Sequence, residues 1–179
     1  KYFLIFIKCK ITFKISRCDV LIFDHAQSNT LKYFINKNNY KFFYSRHEEY
    51  NFFLLIKTLF SSGLKNFGLN YFLNFVELTQ PKFIISQWMY DPRIFQVKNY
   101  FPETKIILIQ PSDFYDEISY FKKFKDSSVD HIFVFSNNEK KKLKRIFKKS
   151  EITIIGSLRN NFYYKKKINE KNLFLYISE

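Results

Sequence analysis

Six short apolar runs, each ending in polar residues, constrain the fold of this 179-residue chain more than any other feature. The runs cover residues 20–23, 40–44, 83–85, 106–109, 132–135 and 152–155. Segments of helix length separate most of them, which is typical of βα repeats around a parallel sheet buried on both faces. We therefore predict an α/β fold, with a Rossmann-like parallel sheet flanked by helices. Ligands of such sheets bind beyond the carboxyl ends of the strands, so we expect the function there.

Helix signals occupy the segments around these runs. We predict helices over residues 1–17, 29–35, 49–60, 69–78, 94–100, 117–128 and 138–147. Asn137 or Asn138 is the expected cap of the last one, because a side-chain oxygen there can accept from free amides of the first turn.

The domain organisation is predicted from the same pattern. Residues 1–160 form a Rossmann-like domain, residues 161–171 form a polar linker, and residues 172–179 form the first strand of a second domain. Because the sequence begins with Lys1 rather than Met, we expect it to be a piece of a longer protein.

The net charge of +14 invites a polyanion-binding interpretation, since clustered Lys and Arg neutralise phosphates. Only five of the 30 basic residues are Arg, whereas a nucleic-acid footprint should be localised and use Arg. The abundant Phe, Tyr, Ile, Asn and Lys all have AT-rich codons, so genome composition explains most of the excess. No specific nucleic-acid partner is expected, and a non-catalytic polyanion-binding module stays an alternative.

The cysteines and apolar segments indicate a cytoplasmic protein without a metal site. Cys9 and Cys18 form no CxxC motif and have no His at metal-ligand spacing, so we expect two reduced thiols. The apolar run at residues 2–7 is much shorter than the about 20 residues that a membrane-spanning helix needs.

A dense group of polar residues follows the second run, at residues 45–51 (SRHEEYN). Arg46 and Asn51 are candidate substrate-binding residues, and Glu48 is a candidate catalytic base. The alternative is a solvated helix start, in which Glu48 or Glu49 complements the helix dipole. For His47 a structural role is favoured.

Three further strand ends supply candidate residues. Asp24 follows the first run, where a general base or a sugar-hydroxyl acceptor is expected, although an Asp can also cap a helix there. Gln110 follows the fourth run. Together with the aromatic, amide and hydroxyl side chains of residues 87–91 (QWMYD) and 110–113 (QPSD), it suits carbohydrate better than bare phosphate.

The last run opens into residues 156–161 (GSLRNN). Gly156 and Ser157 would let backbone amides approach a ligand, while Arg159 and Asn161 would contact an anionic or polar group. A hinge into the next domain is the competing interpretation. The chain has no GxGxxG, GxxxxGK[ST] or GxSxG motif, so dinucleotide binding, P-loop hydrolysis and serine-hydrolase chemistry lack sequence support.

Residues 140–149 (KKKLKRIFKK) form a basic segment with a narrow apolar stripe. Such a helix can lie on an anionic membrane, and peripheral contact with the inner membrane face is one possibility. Docking of the stripe on the sheet, with the lysines reaching water, is favoured.

These residues together resemble the bacterial surface carbohydrate biosynthesis proteins, which have the two-domain glycosyltransferase arrangement called GT-B. The resemblance rests on diffuse motifs at residues 19–24 (DVLIFD), 45–51 (SRHEEYN), 81–86 (PKFIIS), 109–110 (IQ), 155–161 (IGSLRNN) and 175–178 (LYIS). The chain departs from the family pattern after Gln110, where Pro111 and Ser112 replace the usual Asn-Gly, and around Asp91.

The resemblance implies the N-terminal, acceptor-side half of a glycosyltransferase that acts on a surface-polysaccharide, capsule or lipopolysaccharide intermediate. Asp24 or Glu48 would be the catalytic base, and Arg46 with Gln110 would orient a carbohydrate or lipid-linked acceptor. A nucleotide-sugar donor is expected for the full-length protein, held mainly by a second domain, so this chain alone should be inactive. A glycerol-phosphate-type transferase of the same architecture is the nearest enzymatic alternative.

Overall fold

The computed structural model describes residues 9–35, 39–46, 48–112, 118–125 and 127–158. Its strands are β1 (Lys10–Thr12), β2 (Val20–Phe23), β3 (Tyr40–Phe43), β4 (Glu49–Asn51), β5 (Phe83–Ser86), β6 (Lys105–Ile109), β7 (His131–Val134) and β8 (Glu151–Ile154). Six of them form one all-parallel sheet in the order β3-β2-β5-β6-β7-β8. The predicted Rossmann-like α/β fold is confirmed, and each of the six apolar runs is a strand of this sheet.

Helices connect the strands. The α-helices are α1 (His25–Ser28), α2 (Phe52–Ser62), α3 (Phe67–Thr79), α4 (Ile118–Phe121) and α5 (Asn137–Lys144), and three 3-10 helices cover Asn29–Tyr33, Ile94–Asn99 and Lys122–Phe124. The segments predicted as helices after residue 28 therefore contain helical turns, with shifted ends. The predicted linker at 161–171 and the strand at 172–179 lie outside the described residues.

The predicted helix over residues 1–17 is wrong where the structure describes it. Lys10–Thr12 is strand β1, which pairs in parallel with β4 as a separate two-stranded sheet. Residues 10–15 alternate Lys or Thr with Ile or Phe, and this period of two is the strand pattern. A strand of three residues is too short for this alternation to be distinguished from a helical pattern.

The start of α2 was predicted too early. Residues 49–51 are strand β4, and Asn51 ends that strand as the N-cap of α2. Its Oδ1 accepts a hydrogen bond from the backbone N of Leu54 at 3.2 Å. Asn51 therefore has a structural task that the sequence pattern did not reveal.

The cap of α5 is Ser136 rather than Asn137 or Asn138. The backbone N of Glu139 donates to Ser136 Oγ, and Glu139 Oε2 accepts from the backbone N of Ser136 at 3.0 Å. This reciprocal pair is a capping box, which satisfies two amides that a lone Asn cap would not satisfy together.

The strand order places a topological switch point between β2 and β5. The chain first moves from β2 to β3 on one side, and then returns to add β5, β6, β7 and β8 on the other side. In open parallel sheets the crevice outside the carboxyl ends of such neighbouring strands is the usual ligand site. The residues that follow β2 and β5 are therefore the first candidates for a ligand site.

Apolar side chains cover both faces of the sheet. On one face Phe72 of α3 is fully buried, with its ring centroid 4.9 Å from that of Phe23 and 4.7 Å from that of Phe43. On the other face Ile22 packs with Leu31 from the 3-10 helix after α1. Burial on both faces explains why these strands read as continuous apolar runs rather than as alternating ones.

We expect Phe72→Ala to lower the free energy of unfolding by about 3–5 kcal/mol, because it leaves a cavity among buried aromatic rings. Phe60→Ala is the matched control, since the Phe60 side chain is 90% exposed and its loss should change stability by about 0.5 kcal/mol or less. Urea unfolding of both variants measures the difference. Equal losses would contradict the assignment of Phe72 to the core.

Asp130 joins three elements at the amino end of the sheet. Its carboxylate accepts hydrogen bonds from the backbone N of Ile106 at 2.8 Å, from Lys98 Nζ at 3.0 Å and from Lys105 Nζ at 3.2 Å. Burial by itself raises the pKa of Asp130, but these donors outweigh it and leave the pKa below its ordinary value. Ionised Asp130 therefore stabilises the fold.

Asp130→Asn should lower the unfolding free energy at pH 7 by about 1–3 kcal/mol, since charge-assisted hydrogen bonds are lost. A depressed pKa gives stability above the unfolded value of about 3.9 and loses it as the pH falls through the folded pKa. The two proteins should thus converge in stability towards pH 2. Asp19→Asn is the control, because the one ion pair of Asp19 among the described residues is with the well-exposed Lys82. A pH-independent difference for Asp130→Asn would contradict this role.

Candidate functional site

The candidate site lies at the carboxyl edge of the six-stranded sheet, where parallel strands bring their following residues together. Asp24 directly follows β2, Arg46 is the third residue after β3, Gln110 directly follows β6, and Gly156 is the second residue after β8. Gly156 has a positive φ of 68°, which a glycine adopts without strain as the chain leaves β8.

Asp24 is completely buried directly after β2. Its Oδ2 accepts hydrogen bonds from Ser45 Oγ at 2.8 Å and from Arg46 Nε at 3.0 Å. Its φ of 63° lies in the left-handed region, which Asp tolerates better than most residues. This carboxylate thus fixes the guanidinium of Arg46, a different task from the proton transfer that the sequence suggested for Asp24.

Arg46 extends from Asp24 to the face of Trp88. Its guanidinium carbon lies 5.0 Å from the centroid of the Trp88 ring, and 44% of the side chain is exposed. Only Nε is engaged, because neither terminal nitrogen of Arg46 hydrogen-bonds to any residue in the described part of the chain. Two N–H-bearing nitrogens of fixed orientation are therefore available to an external anion.

Glu48 lies on the exposed rim beside Arg46. Its Oε2 accepts from the backbone N of Arg46 at 3.2 Å, and its backbone O accepts from the N of Lys10. Unlike Asp24, this carboxylate is exposed to solvent. It is the more accessible of the two predicted bases.

Asn51 lies apart from this group, at the β4–α2 junction. It lines a different cavity, of about 250 Å³, between the small sheet and β3. Tyr71 Oη accepts from the backbone N of Asn51 at 2.8 Å, and burial, partly offset by this bond, raises the pKa of Tyr71 to about 12. The Nδ2 of Asn51 is buried and has no hydrogen-bond partner among the described residues.

The hydroxyl groups of Ser28 and Thr30 form hydrogen bonds across the crevice between β2 and β5. Ser28 Oγ donates to the O of Phe23 at 2.9 Å and accepts from the N of Gln87 at 3.1 Å. Thr30 Oγ1 donates to Gln87 Oε1 at 3.1 Å, while the Nε2 of Gln87 bonds to no other described residue. These bonds fix the amide of Gln87 and leave its N–H groups for a ligand.

A cavity of about 220 Å³ opens at this edge beside Trp88. Amide, aromatic and hydroxyl side chains line it, contributed by Gln87, Trp88, Tyr90, Gln110, Pro111, Ser112, Phe135, Ser157 and Leu158. The described residues of segments 87–91 and 110–113, which the sequence grouped by composition, thus meet here, and Ser157 joins them; residue 113 lies outside the described residues. Arg46 is not a lining residue, but its guanidinium contacts the ring of Trp88, which lines this cavity.

Gln110 forms the floor of the cavity and is only 1% exposed. Its Nε2 donates to Glu139 Oε1 at 2.6 Å and to the O of Ser112 at 2.8 Å. Its Oε1 accepts from the backbone N of Phe135 at 2.8 Å. The amide therefore ties β6 to the start of α5, and its nitrogen has no hydrogen left for a ligand.

Arg93 supports the loop that carries Arg46, since it contacts Ser45 and the ends of β2 and β3. The sequence analysis did not identify it as a site residue. It forms a bidentate pair with Asp91, with Nε to Oδ1 at 2.9 Å and Nη2 to Oδ2 at 2.5 Å. Its Nη2 also donates to the O of Ser45 at 3.3 Å, and its guanidinium lies over the rings of Phe23 and Phe43. Because the chain has only five Arg, each Arg was a candidate for a specific role, and this was the one sequence signal for Arg93.

Two predicted site residues, Arg159 and Asn161, lie outside the described part of the chain, as does His47, for which a structural role was expected. Within the described residues no group of three or more His, Cys, Asp or Glu could hold a metal ion. Cys9 and Cys18, the two cysteines of the sequence, are not joined by a disulfide, and burial raises the pKa of the Cys18 thiol. No helix in the described part of the chain is long and apolar enough to cross a membrane.

Comparison with protein-family models, with curated proteins and with solved structures finds no significant match to this chain.

We expect Gln110→Glu to lower the unfolding free energy by at least about 2 kcal/mol at pH 8, because a second buried carboxylate would face Glu139. Like charges raise the pKa of one carboxyl, so the penalty should shrink as the pH falls towards about 4, where the pair holds a proton. Gln96→Glu is the control, since half-exposed Gln96 only accepts from Asn99. Urea unfolding between pH 4 and pH 8 measures both. A penalty that is constant with pH would contradict the buried contact.

Proposed function

We propose that this chain is the acceptor-side domain of a cytoplasmic glycosyltransferase. The enzyme would transfer a sugar from a nucleotide-sugar to a surface-polysaccharide, capsule or lipopolysaccharide intermediate. One observation carries the proposal: Asp24 fixes Arg46 over the ring of Trp88, and that ring also lines a cavity of amide and aromatic side chains. This arrangement suits a ligand that has both an anionic group and a sugar ring.

The cavity supports a small polar ligand. Sites for drug-sized ligands usually measure about 300–1,000 Å³, so 220 Å³ suits one sugar ring better than a dinucleotide. Trp88 and Tyr90 offer apolar ring faces, and the Nε2 of Gln87 offers hydrogen-bond donors. Sugars need both, because they present C–H faces and hydroxyl edges.

Arg46 supports a phosphate bound beside Trp88. A guanidinium presents a planar fork that matches two oxygens of a phosphate, and Asp24 and Trp88 hold that plane in advance. Preorganisation reduces the entropy that is lost when the ligand binds. The phosphate of a lipid-linked acceptor is the group we assign to this position.

Glu48 is the base we assign to the acceptor hydroxyl. Asp24 is buried and pairs with Arg46, whereas Glu48 is exposed on the same rim. In the proposed step the hydroxyl proton moves to Glu48, the hydroxyl oxygen bonds to the anomeric carbon, and the bond from that carbon to the nucleotide phosphate breaks. Asp24 then acts as a positioning residue for Arg46.

The alternatives differ in what they ask of Arg46. A glycerol-phosphate-type transferase would use the same guanidinium but not the aromatic cavity. A polyanion-binding module would depend on the many lysines and on low salt, and would need neither. Phosphorylated ligands with and without a sugar ring therefore distinguish the three.

Trp88 provides a direct test, because it is the only tryptophan in the chain and lines the cavity. We expect hexose 1-phosphate to change its fluorescence and to bind more tightly than inorganic phosphate or glycerol 3-phosphate. Arg46→Gln should raise the Kd at least about tenfold, as a charge-assisted pair is lost. Binding is measured rather than turnover, since the proposal assigns the donor nucleotide to a second domain.

Arg145→Gln is the matched control, because Arg145 is exposed at the far end of α5 and should leave the Kd within about twofold. No change in Trp88 fluorescence with any of the three ligands would contradict the proposal. Tighter binding of glycerol 3-phosphate would favour the alternative transferase. Equal losses in the two Arg variants, or binding that vanishes at 150 mM salt, would favour the polyanion module.

A further inference from the structure

Helix α2 exposes an apolar face away from the sheet. Leu54 and Thr58 point inward and are fully buried, whereas Phe52, Phe53, Ile56, Leu59 and Phe60 on the other side are exposed. Phe60 is 90% exposed, and Leu64 just after the helix is 82% exposed. A surface helix normally turns charged residues outward, but the only charged residue of α2 is Lys57.

The segment after β1 extends this surface. The ring centroid of Phe13 lies 5.5 Å from that of Phe52 and 6.2 Å from that of Phe53, and Phe13 is itself exposed. We call the whole surface the aromatic face; it comprises Phe13, Phe52, Phe53, Ile56, Leu59, Phe60 and Leu64. Contiguous apolar patches of this kind on a protein surface mark interaction sites.

Lysines outnumber carboxylates around the aromatic face, and two of the three nearby carboxylates are paired, Glu49 with Lys10 and Glu77 with Lys57. No Asp or Glu occurs between Phe52 and Val76. Lys14 and Lys65, which flank the face along the chain, form no ion pair with any residue in the described ranges, while Lys57 pairs with Glu77. Lys14 also lines the 250 Å³ cavity, together with Lys41 and the Lys10–Glu49 ion pair. Apolar side chains bordered by free lysines complement an anionic lipid surface.

We propose that the aromatic face docks on an anionic membrane, with its phenylalanines in the interfacial layer and the lysines at the lipid phosphates. The basic segment at residues 140–149 lacks such an apolar anchor. Its Leu143, Ile146 and Phe147 belong to the core, so that segment offers only charge to a membrane. Membrane contact through α2 therefore replaces the contact that the sequence suggested at α5.

This inference does not depend on the proposed function, because no residue of the aromatic face lines the cavity beside Trp88. The failure of one proposal is thus separable from the failure of the other. Arg46→Gln should bind vesicles like the unaltered chain even though it loses hexose 1-phosphate.

Sedimentation with vesicles tests the proposal. We expect the chain to bind vesicles of phosphatidylcholine with 30% phosphatidylglycerol at 100 mM salt, and to bind pure phosphatidylcholine at least about fivefold more weakly. The double variant Phe53→Ser/Phe60→Ser should reduce the partition coefficient for the anionic vesicles at least about tenfold. Leu64→Ser should reduce it about threefold or more, which provides a second variant outside the helix.

Tyr100→Ser is the matched control, since Tyr100 and Phe53 are both 59% exposed and Tyr100 lies outside the aromatic face. It should change partitioning by less than about twofold. Vesicle binding that is unaffected by the Phe53/Phe60 variant would overturn the proposal. So would a dimer in analytical ultracentrifugation that this variant dissociates while the chain binds no vesicles, because a second copy would then cover the face.

Discussion

The parallel pairing of six strands is the constraint on which the rest of the structure depends. It requires burial on both faces of the sheet, so aromatic and aliphatic side chains occupy the strands. The polar side chains therefore lie at the strand ends. It also places every strand's carboxyl end at one edge. The switch from β3 to β5 on either side of β2 then leaves a crevice at that edge, and Asp24 and Gln87 follow the two strands that border it.

Two buried polar contacts give this edge a fixed shape. Asp24 orients Arg46 over Trp88 on one side, and Gln110 joins β6 to the capping box of α5 on the other. Both contacts have fully buried members, so an unpaired partner in either would be costly and each favours a single geometry. A rigid rim with one partly exposed guanidinium is suited to recognition of an anionic ligand. The aromatic face of α2 is a separate surface, bordered by lysines rather than by hydrogen-bonded polar groups.

The sequence predicted the elements that have continuous apolar runs, and it did not predict features that depend on a single contact between distant residues. Continuous apolar runs identified all six sheet strands, because strands buried on both faces contain little else. The three-residue strands β1 and β4 were missed, since pairing between distant segments creates them. Arg46 and Trp88 were predicted at one edge of the sheet, but the order of residues does not show that Asp24 is buried beneath Arg46.

Gln110 was expected to contact a ligand, whereas its side-chain nitrogen donates to Glu139 and Ser112. The helix at 49–60 was predicted from apolar residues at helical spacing, but that spacing does not tell which apolar side is covered.

The central claim is that Asp24 acts on ligands only through Arg46. A double-mutant cycle on the Kd for hexose 1-phosphate, followed by Trp88 fluorescence, tests it most directly. Asn fits the left-handed backbone at position 24 and removes only the charge. We predict that Asp24→Asn weakens binding in the presence of Arg46 and has no further effect in the Arg46→Gln background. Equal losses from Asp24→Asn in both backgrounds would contradict the account, because Asp24 would then affect the ligand by a route that does not involve Arg46.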